Sequence, residues 1–283
     1  MSERSFPGLR LLALPLAFLA VFFAIPFGII AVASFMSRGN PLEWTPDLSA
    51  YGRVMDPLLI KVFFRSVFIA SGATASCLAF GFPLAWFIVR QPPSRRRFLY
   101  FLVMIPLTAN SLVLTYSWIA ILRQQGFMDR FLQSLGWFGE GPFVLLYSTP
   151  AVFLGLTYWY LPFMVYPIYA SLEKLDFTLA AAAADLGAGR WETLRRIILP
   201  LAAPGILTGC TLVFIQTFCS FVVPDMLGGG KVDMIGNIIQ KRFLSLPQDW
   251  PLGAALSMAL LALIGGALFL SFQLTRETPA RRS

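Results

Sequence analysis

Long apolar runs separated by short polar ones set the pattern of this chain. The runs cover about residues 11–35, 62–89, 98–122, 144–170, 201–223 and 252–273, about six in all. Each approaches the roughly 20 apolar residues that a helix needs to cross a hydrocarbon core. The first is longer than a signal-peptide core and has no small-residue cleavage site, so it reads as an uncleaved anchor, kinked at Pro15 and Pro26. The second has Arg65 near its start, placed to snorkel toward headgroups. The third carries Pro106, Asn110 and Ser111 in mid-span.

The longest stretch rich in both helix formers and charge lies between the fourth and fifth runs, over Leu172–Leu199. Leu179 and the alanines Ala180 to Ala184 favour a helix. Asp185, Gly187 and Gly189 supply a stop, Arg190 to Leu199 a second short helix, and Pro200 opens the next span. Two short helices meeting at a glycine turn are predicted on the water side of the membrane. An ordinary surface hairpin would show the same local pattern.

Composition fixes the class. With 57% apolar and 13% charged residues and a mean hydropathy of +0.72, an ordinary soluble domain is excluded. The predicted fold class is an all-α membrane protein, residues 1–283 forming a single transmembrane domain. A pI near 9.8 then reports basic loops rather than a nucleic-acid partner; membrane lipids are the surroundings. The cysteines Cys77, Cys210 and Cys219 sit in apolar runs and are expected buried, reduced and inert.

Placing the amino terminus in the cytoplasm puts more than half of the 22 basic residues on that side: Arg4 and Arg10, then Arg90 with Arg95, Arg96 and Arg97, then Lys174, Arg190, Arg195 and Arg196, then Arg276, Arg281 and Arg282. The positive-inside rule favours this orientation, with both termini and the 172–199 stretch cytoplasmic. The outer loops hold the turn signals Asn40-Pro41, Asp56-Pro57, Gly141-Pro142 and Gly228 to Gly230.

The search for chemistry is mostly negative. Without histidine, neither a Ser-His-Asp nor an HExxH site can exist. The GGGK at Gly228 to Lys231 fails as a phosphate loop, because Asp225 and Val232 stand where glycine and Ser or Thr are needed. The chain is therefore no enzyme and carries no cofactor. Any ATP and Mg would be used by a partner ATPase.

The 172–199 stretch resembles the coupling loop of permease subunits in binding-protein-dependent ABC importers. It matches the family pattern at Ala182, Ala183, Gly187 and the ending Ile197-Ile198-Leu199-Pro200. It departs where the family has glutamate, replaced here by Ala181; Asp185 or Glu192 would have to substitute. YGRVMDP (Tyr51–Pro57), GFPLAW (Gly81–Trp86), IPLTANS (Ile105–Ser111), LPFMVYPIYASL (Leu161–Leu172), MLGG (Met226–Gly229) and DWPLGAA (Asp249–Ala255) are similar to spermidine/putrescine permeases. The resemblance implies a type I ABC importer permease fold in a bacterial cytoplasmic (inner) membrane. It implies as partners a second permease subunit, two ATP-binding cassette subunits and a periplasmic or surface-anchored solute-binding protein.

A polyamine pathway needs sparse carboxylates and aromatic faces for cation–π contact. Asp225 and Glu173 are the acid candidates, with Asp176 beside the latter. Tyr116 and Trp118, and Tyr158, Trp159, Tyr160 and Tyr166, are the ring candidates, though rings near span ends also form interfacial belts. Asn110 is a polar candidate that interhelix packing would equally explain. Two further readings stay open: an ABC permease for another small solute (another amine, an opine-like compound, a phosphonate) and an ion-coupled secondary transporter.

Overall fold

The computed structural model describes residues 7–37, 45–135, 145–176, 178–245 and 248–276. Asn40-Pro41, Gly141-Pro142, Arg4, Arg281 and Arg282 lie outside these. In chain order the helices are α1 (Pro7–Ala33), α2 (Ser49–Val54), α3 (Pro57–Val89), α4 (Pro93–Thr108), α5 (Ser111–Leu122), α6 (Phe127–Ser134) and α7 (Thr149–Glu173). They continue with α8 (Thr178–Asp185), α9 (Arg190–Thr193), a π-helical turn (Leu194–Ile198), α10 (Leu199–Phe218), α11 (Val222–Gly228), α12 (Ile235–Leu244) and α13 (Trp250–Arg276).

Among the described residues, four segments are long and apolar enough to span a membrane: Pro15–Ala33, α3, α7 and the continuous Arg190–Phe218. A bent pair beginning with α4 would make a fifth span, and the Trp250–Gly266 part of α13 is a shorter apolar helix. Along α1, Leu16, Phe18, Leu19, Phe22 and Phe23 are all exposed. An apolar surface of that extent requires lipid or another apolar chain around it.

The predicted third span, 98–122, is not one helix. It is α4 followed by a segment starting at Ser111, bent by 94°. Pro106 has no amide hydrogen to continue the ladder in the last turn of α4, and Ala109 is extended. Asn110 then caps α5, its side-chain oxygen accepting the Leu112 amide at 2.8 Å. The polar residue in mid-span thus serves the backbone of the break, and neither an interhelix bond nor the pathway is needed to account for it.

The chain divides into two compact units, 61–237 and the terminal segments 1–60 with 238–283. In the larger unit α7 packs most extensively on α10. Gly205 makes this possible: a Cβ there would lie 2.4 Å from the Pro167 carbonyl oxygen. Small residues permit such close backbone approach where lipid offers no hydrophobic drive. Met164, Val165, Ile168 and Leu172 of α7 are fully buried in the resulting core.

Arg65, expected to reach toward headgroups, instead donates to the Asp233 carbonyl oxygen. Beside it the Ser66 hydroxyl accepts the Ile235 amide at 2.9 Å, and the buried Asn237 amide donates to the Phe221 carbonyl at 2.8 Å. The Arg65 and Ser66 bonds tie the segment after α11 to α3, and the Asn237 bond ties it back to the start of α11.

In the terminal unit α13 packs on α1 and α2. The YGRVMDP and DWPLGAA motifs meet there in one forked ion pair. Arg53 donates to Asp249 at 2.5 and 3.3 Å, with the Asp249 side chain only 1% exposed. Asp249 also accepts the Leu252 amide at 3.3 Å, capping α13.

Candidate functional site

The hairpin predicted within 172–199 forms with its turn where expected. Asp176 starts it: its carboxylate accepts the Thr178 amide at 2.9 Å, and that bond holds the carboxyl below the usual range. Gly187 ends α8 with φ +84°, while the Ala188 amide reaches back to the Ala183 carbonyl at 2.9 Å. That six-to-one bond with a left-handed glycine is the Schellman helix stop. The α8 helix packs on α9 and on the π-helical turn that follows.

The second half departs from expectation. Rather than a separate short helix ending before Pro200, residues 190–218 run as one helix. Pro200 cannot donate to the carbonyl four residues earlier, and its ring crowds that group. The widened turn Leu194–Ile198 absorbs the conflict, with the Leu199 amide bonding five residues back to Leu194. A π-bulge of this kind keeps the helix continuous across the proline. The second arm of the hairpin is therefore continuous with α10.

Ala182, Asp185 and Gly187 are exposed on the hairpin and Ala183 is half-buried; the Ala181 side chain lies outside the described residues. Glu192 pairs with Arg196 at 2.9 Å within its own helix, and Pro200 is exposed. Sequence reading missed Leu186 and Trp191, which are 89% and 71% exposed. Two large apolar side chains held out beside a glycine turn were the available signal. Trp191 also borders a cavity of about 750 Å³, together with Trp86, Arg90 and Arg190. The Arg90 guanidinium lies 4.2 Å from the Trp86 ring centre.

The pathway candidates fall into separate places. Asp225 is exposed on α11, a short helix whose Val223, Pro224 and Leu227 are buried. The α11 helix packs against both α5 and α7, so the elements bearing Asp225, Tyr116 and Trp159 do converge. The α11 helix ends on Gly229 at φ +56°, which the Tyr147 ring closely covers. Tyr116 is exposed, whereas Trp118 stacks edge-on against Tyr158 at 5.4 Å. Tyr160 is buried, and its hydroxyl donates to the Gln216 carbonyl at 3.1 Å, joining α7 to α10. Trp159 is half-buried against the core.

Glu173 lies elsewhere. Gly155, which touches Leu227 of α11, is 18 residues before it, or about 27 Å along the helix. There Glu173 pairs with Arg96 at 3.3 Å and accepts the Tyr169 hydroxyl at 3.0 Å; Tyr166 is exposed nearby. Of the cysteines, Cys77 is buried, but Cys219 is exposed. It follows directly on the end of α10, where the helix no longer covers it.

Apolar helices long enough to span a membrane, a bent helix pair and an exposed hairpin continuous with one of those helices fit a membrane permease component. The chain belongs to the family of binding-protein-dependent transport system inner membrane components, whose pattern matches residues 78–275. It is thus an ABC permease subunit of the inner membrane. It is 40% identical over 260 residues to the spermidine/putrescine transport system permease protein PotB of Salmonella typhimurium (strain LT2), covering 91% of this chain and 90% of that one. PotB of Escherichia coli K12 is 39% identical, with 91% and 94% covered. The inner membrane ABC transporter permease protein YdcU of the same strain is 31% identical, with 94% and 89% covered.

Among solved structures, a bacterial ABC transporter involved in the import of the acidic polysaccharide alginate is similar with a TM-score of 0.72 at 15% identity. It covers 95% of this chain and 94% of that one. The MetNI methionine ABC transporter is similar with a TM-score of 0.55 at 18% identity, covering 78% and 96%. The fold is that of the type I ABC importer permeases.

Proposed function

We propose that this chain is the permease subunit of an ATP-driven importer of polyamines, cations of the spermidine and putrescine type. The identity of 39–40% over nine-tenths of the chain to spermidine/putrescine permeases carries this reading. In it the chain forms half of the pathway beside a second permease, receives solute from a solute-binding protein, and has both termini in the cytoplasm. Two ATP-binding cassette subunits hydrolyse ATP with Mg, and this chain binds none.

The physics of the hairpin supports the coupling. The exposed Leu186 and Trp191 offer an apolar grip to an ATPase subunit, and Gly187 sets their angle. Because the helix from Arg190 to Phe218 is unbroken, a push on the hairpin moves α10 as a rod rather than bending a linker. The α11 helix follows across three residues, so the same displacement reaches Asp225. There the exposed carboxylate meets an ammonium group of the passing solute, with Tyr116 as a ring for cation–π contact.

The test is uptake of labelled spermidine and putrescine by cells whose importer carries this chain. Uptake that competes with polyamines and fails without the ATPase supports the reading; uptake driven by an ion gradient overturns it. Deleting Ala181 to Gly187 is expected to release the ATPase while leaving the permease in the membrane. Undiminished ATPase co-purification after that deletion sinks the coupling assignment.

A further inference from the structure

The first turn of α4 has an electrostatic problem that its sequence does not solve. A helix amino terminus carries roughly half a positive charge from unpaired amides, and acidic side chains or anions stabilise it. The loop from Arg90 to Arg97 contains no acid, α4 has none in its first turn, and Pro92 provides no side-chain cap. Instead Arg95, Arg96 and Arg97 follow one another there. Arg96 is paired with Glu173, whereas Arg97 is exposed and has no ion-pair partner among the described residues. Arg97 is therefore open to an external anion beside a positive helix end.

A cavity of about 430 Å³ lies at this point, between α4 and α7. Arg96, Arg97 and Glu173 line it together with Tyr100, Tyr166 and Tyr169. The Tyr100 and Tyr169 rings sit 4.7 Å apart. Glu173 is already engaged by Arg96 and by the Tyr169 hydroxyl, so it has little left for a visiting cation. With two guanidiniums against one committed carboxylate, the cavity favours an anion over a polyamine. The next residues of α4 decide between a soluble anion and a lipid: Phe98, Phe101, Leu102 and Ile105 are exposed. They leave an apolar track leading away from the cavity, which acyl chains would cover.

We propose that this cavity binds the phosphate of an anionic phospholipid headgroup, held by Arg96 and Arg97 with the Tyr100 and Tyr166 phenols lining it. Basic pockets between membrane helices bind such headgroups through charge and hydrogen bonding combined. Bound there, the lipid would neutralise the α4 terminus and join α4 to the end of α7, next to the hairpin.

The full-length chain in detergent, titrated with phosphatidylglycerol or phosphatidylcholine and read by native mass spectrometry, tests this. Phosphatidylglycerol is expected to bind more tightly than phosphatidylcholine. Arg97→Gln is expected to weaken phosphatidylglycerol about fivefold, leaving phosphatidylcholine unchanged. Arg97→Lys keeps the charge and should retain most of the affinity. Glu173→Gln should strengthen binding by freeing Arg96, the opposite of what a purely structural role predicts. Equal binding of the two lipids, or an Arg97→Gln variant that binds like the parent, overturns the proposal. Displacement of the lipid by inorganic phosphate also overturns it, because the site would then serve a soluble anion.

Discussion

Gly187 shows how much rests on one backbone angle. Nothing lies within 4 Å of a Cβ built there, so Gly187→Ala meets no clash; its cost is the left-handed conformation alone, about 1 kcal/mol. Reduced ATPase co-purification with unchanged permease abundance is the expected result. Asp225 makes the contrasting case of an exposed carboxylate on a well-buried short helix. Asp225→Asn should lower polyamine uptake without lowering protein abundance, and unchanged uptake would remove it from the pathway. Asp249 is structural by comparison. Arg53→Ala breaks the forked ion pair to its buried carboxylate, so it should destabilise the terminal unit by about 3 kcal/mol, read as earlier thermal unfolding in detergent.

At the level of elements, the helices are set by backbone groups as much as by apolar content. The break between α4 and α5 follows from Pro106 and is finished by Asn110, so Asn110→Ala should cost about 1 kcal/mol of thermal stability. The α7–α10 pair depends on contact that no larger residue allows. Gly205→Val would force its side chain into the Pro167 carbonyl and Ser171, and loss of folded protein on size-exclusion chromatography is expected. The π-turn before α10 converts a proline that should have separated two helices into the point that keeps them one.

For the molecule as a whole, the larger unit carries both the hairpin and α11, the two places where input and solute are proposed to act. The continuous helix from Arg190 to Phe218 links them, which is why a change at Gly187 is expected to be felt in uptake. The terminal unit holds α1, whose apolar side chains remain open to lipid or to another subunit.

The sequence by itself determined the class, the apolar runs from which the long helices form, and the hairpin with its turn at Gly187. These follow from local properties: apolar run length, alanine content, and a glycine where only a left-handed residue closes the helix. It also carried the family resemblance in short contiguous motifs. Tertiary structure alone decided which motif residues meet, as Arg53 and Asp249 do across 196 positions. It decided that Tyr160 spends its hydroxyl on Gln216, that Arg65 serves Asp233 rather than headgroups, and that Glu173 lies far from Asp225. Partners separated in sequence leave no periodic trace, because a side chain's role depends on what the fold brings within hydrogen-bonding distance. The continuity of the hairpin with its span was hidden for a related reason. Proline reads as a helix start in sequence, and only the surrounding backbone reveals that a wider turn has accommodated it.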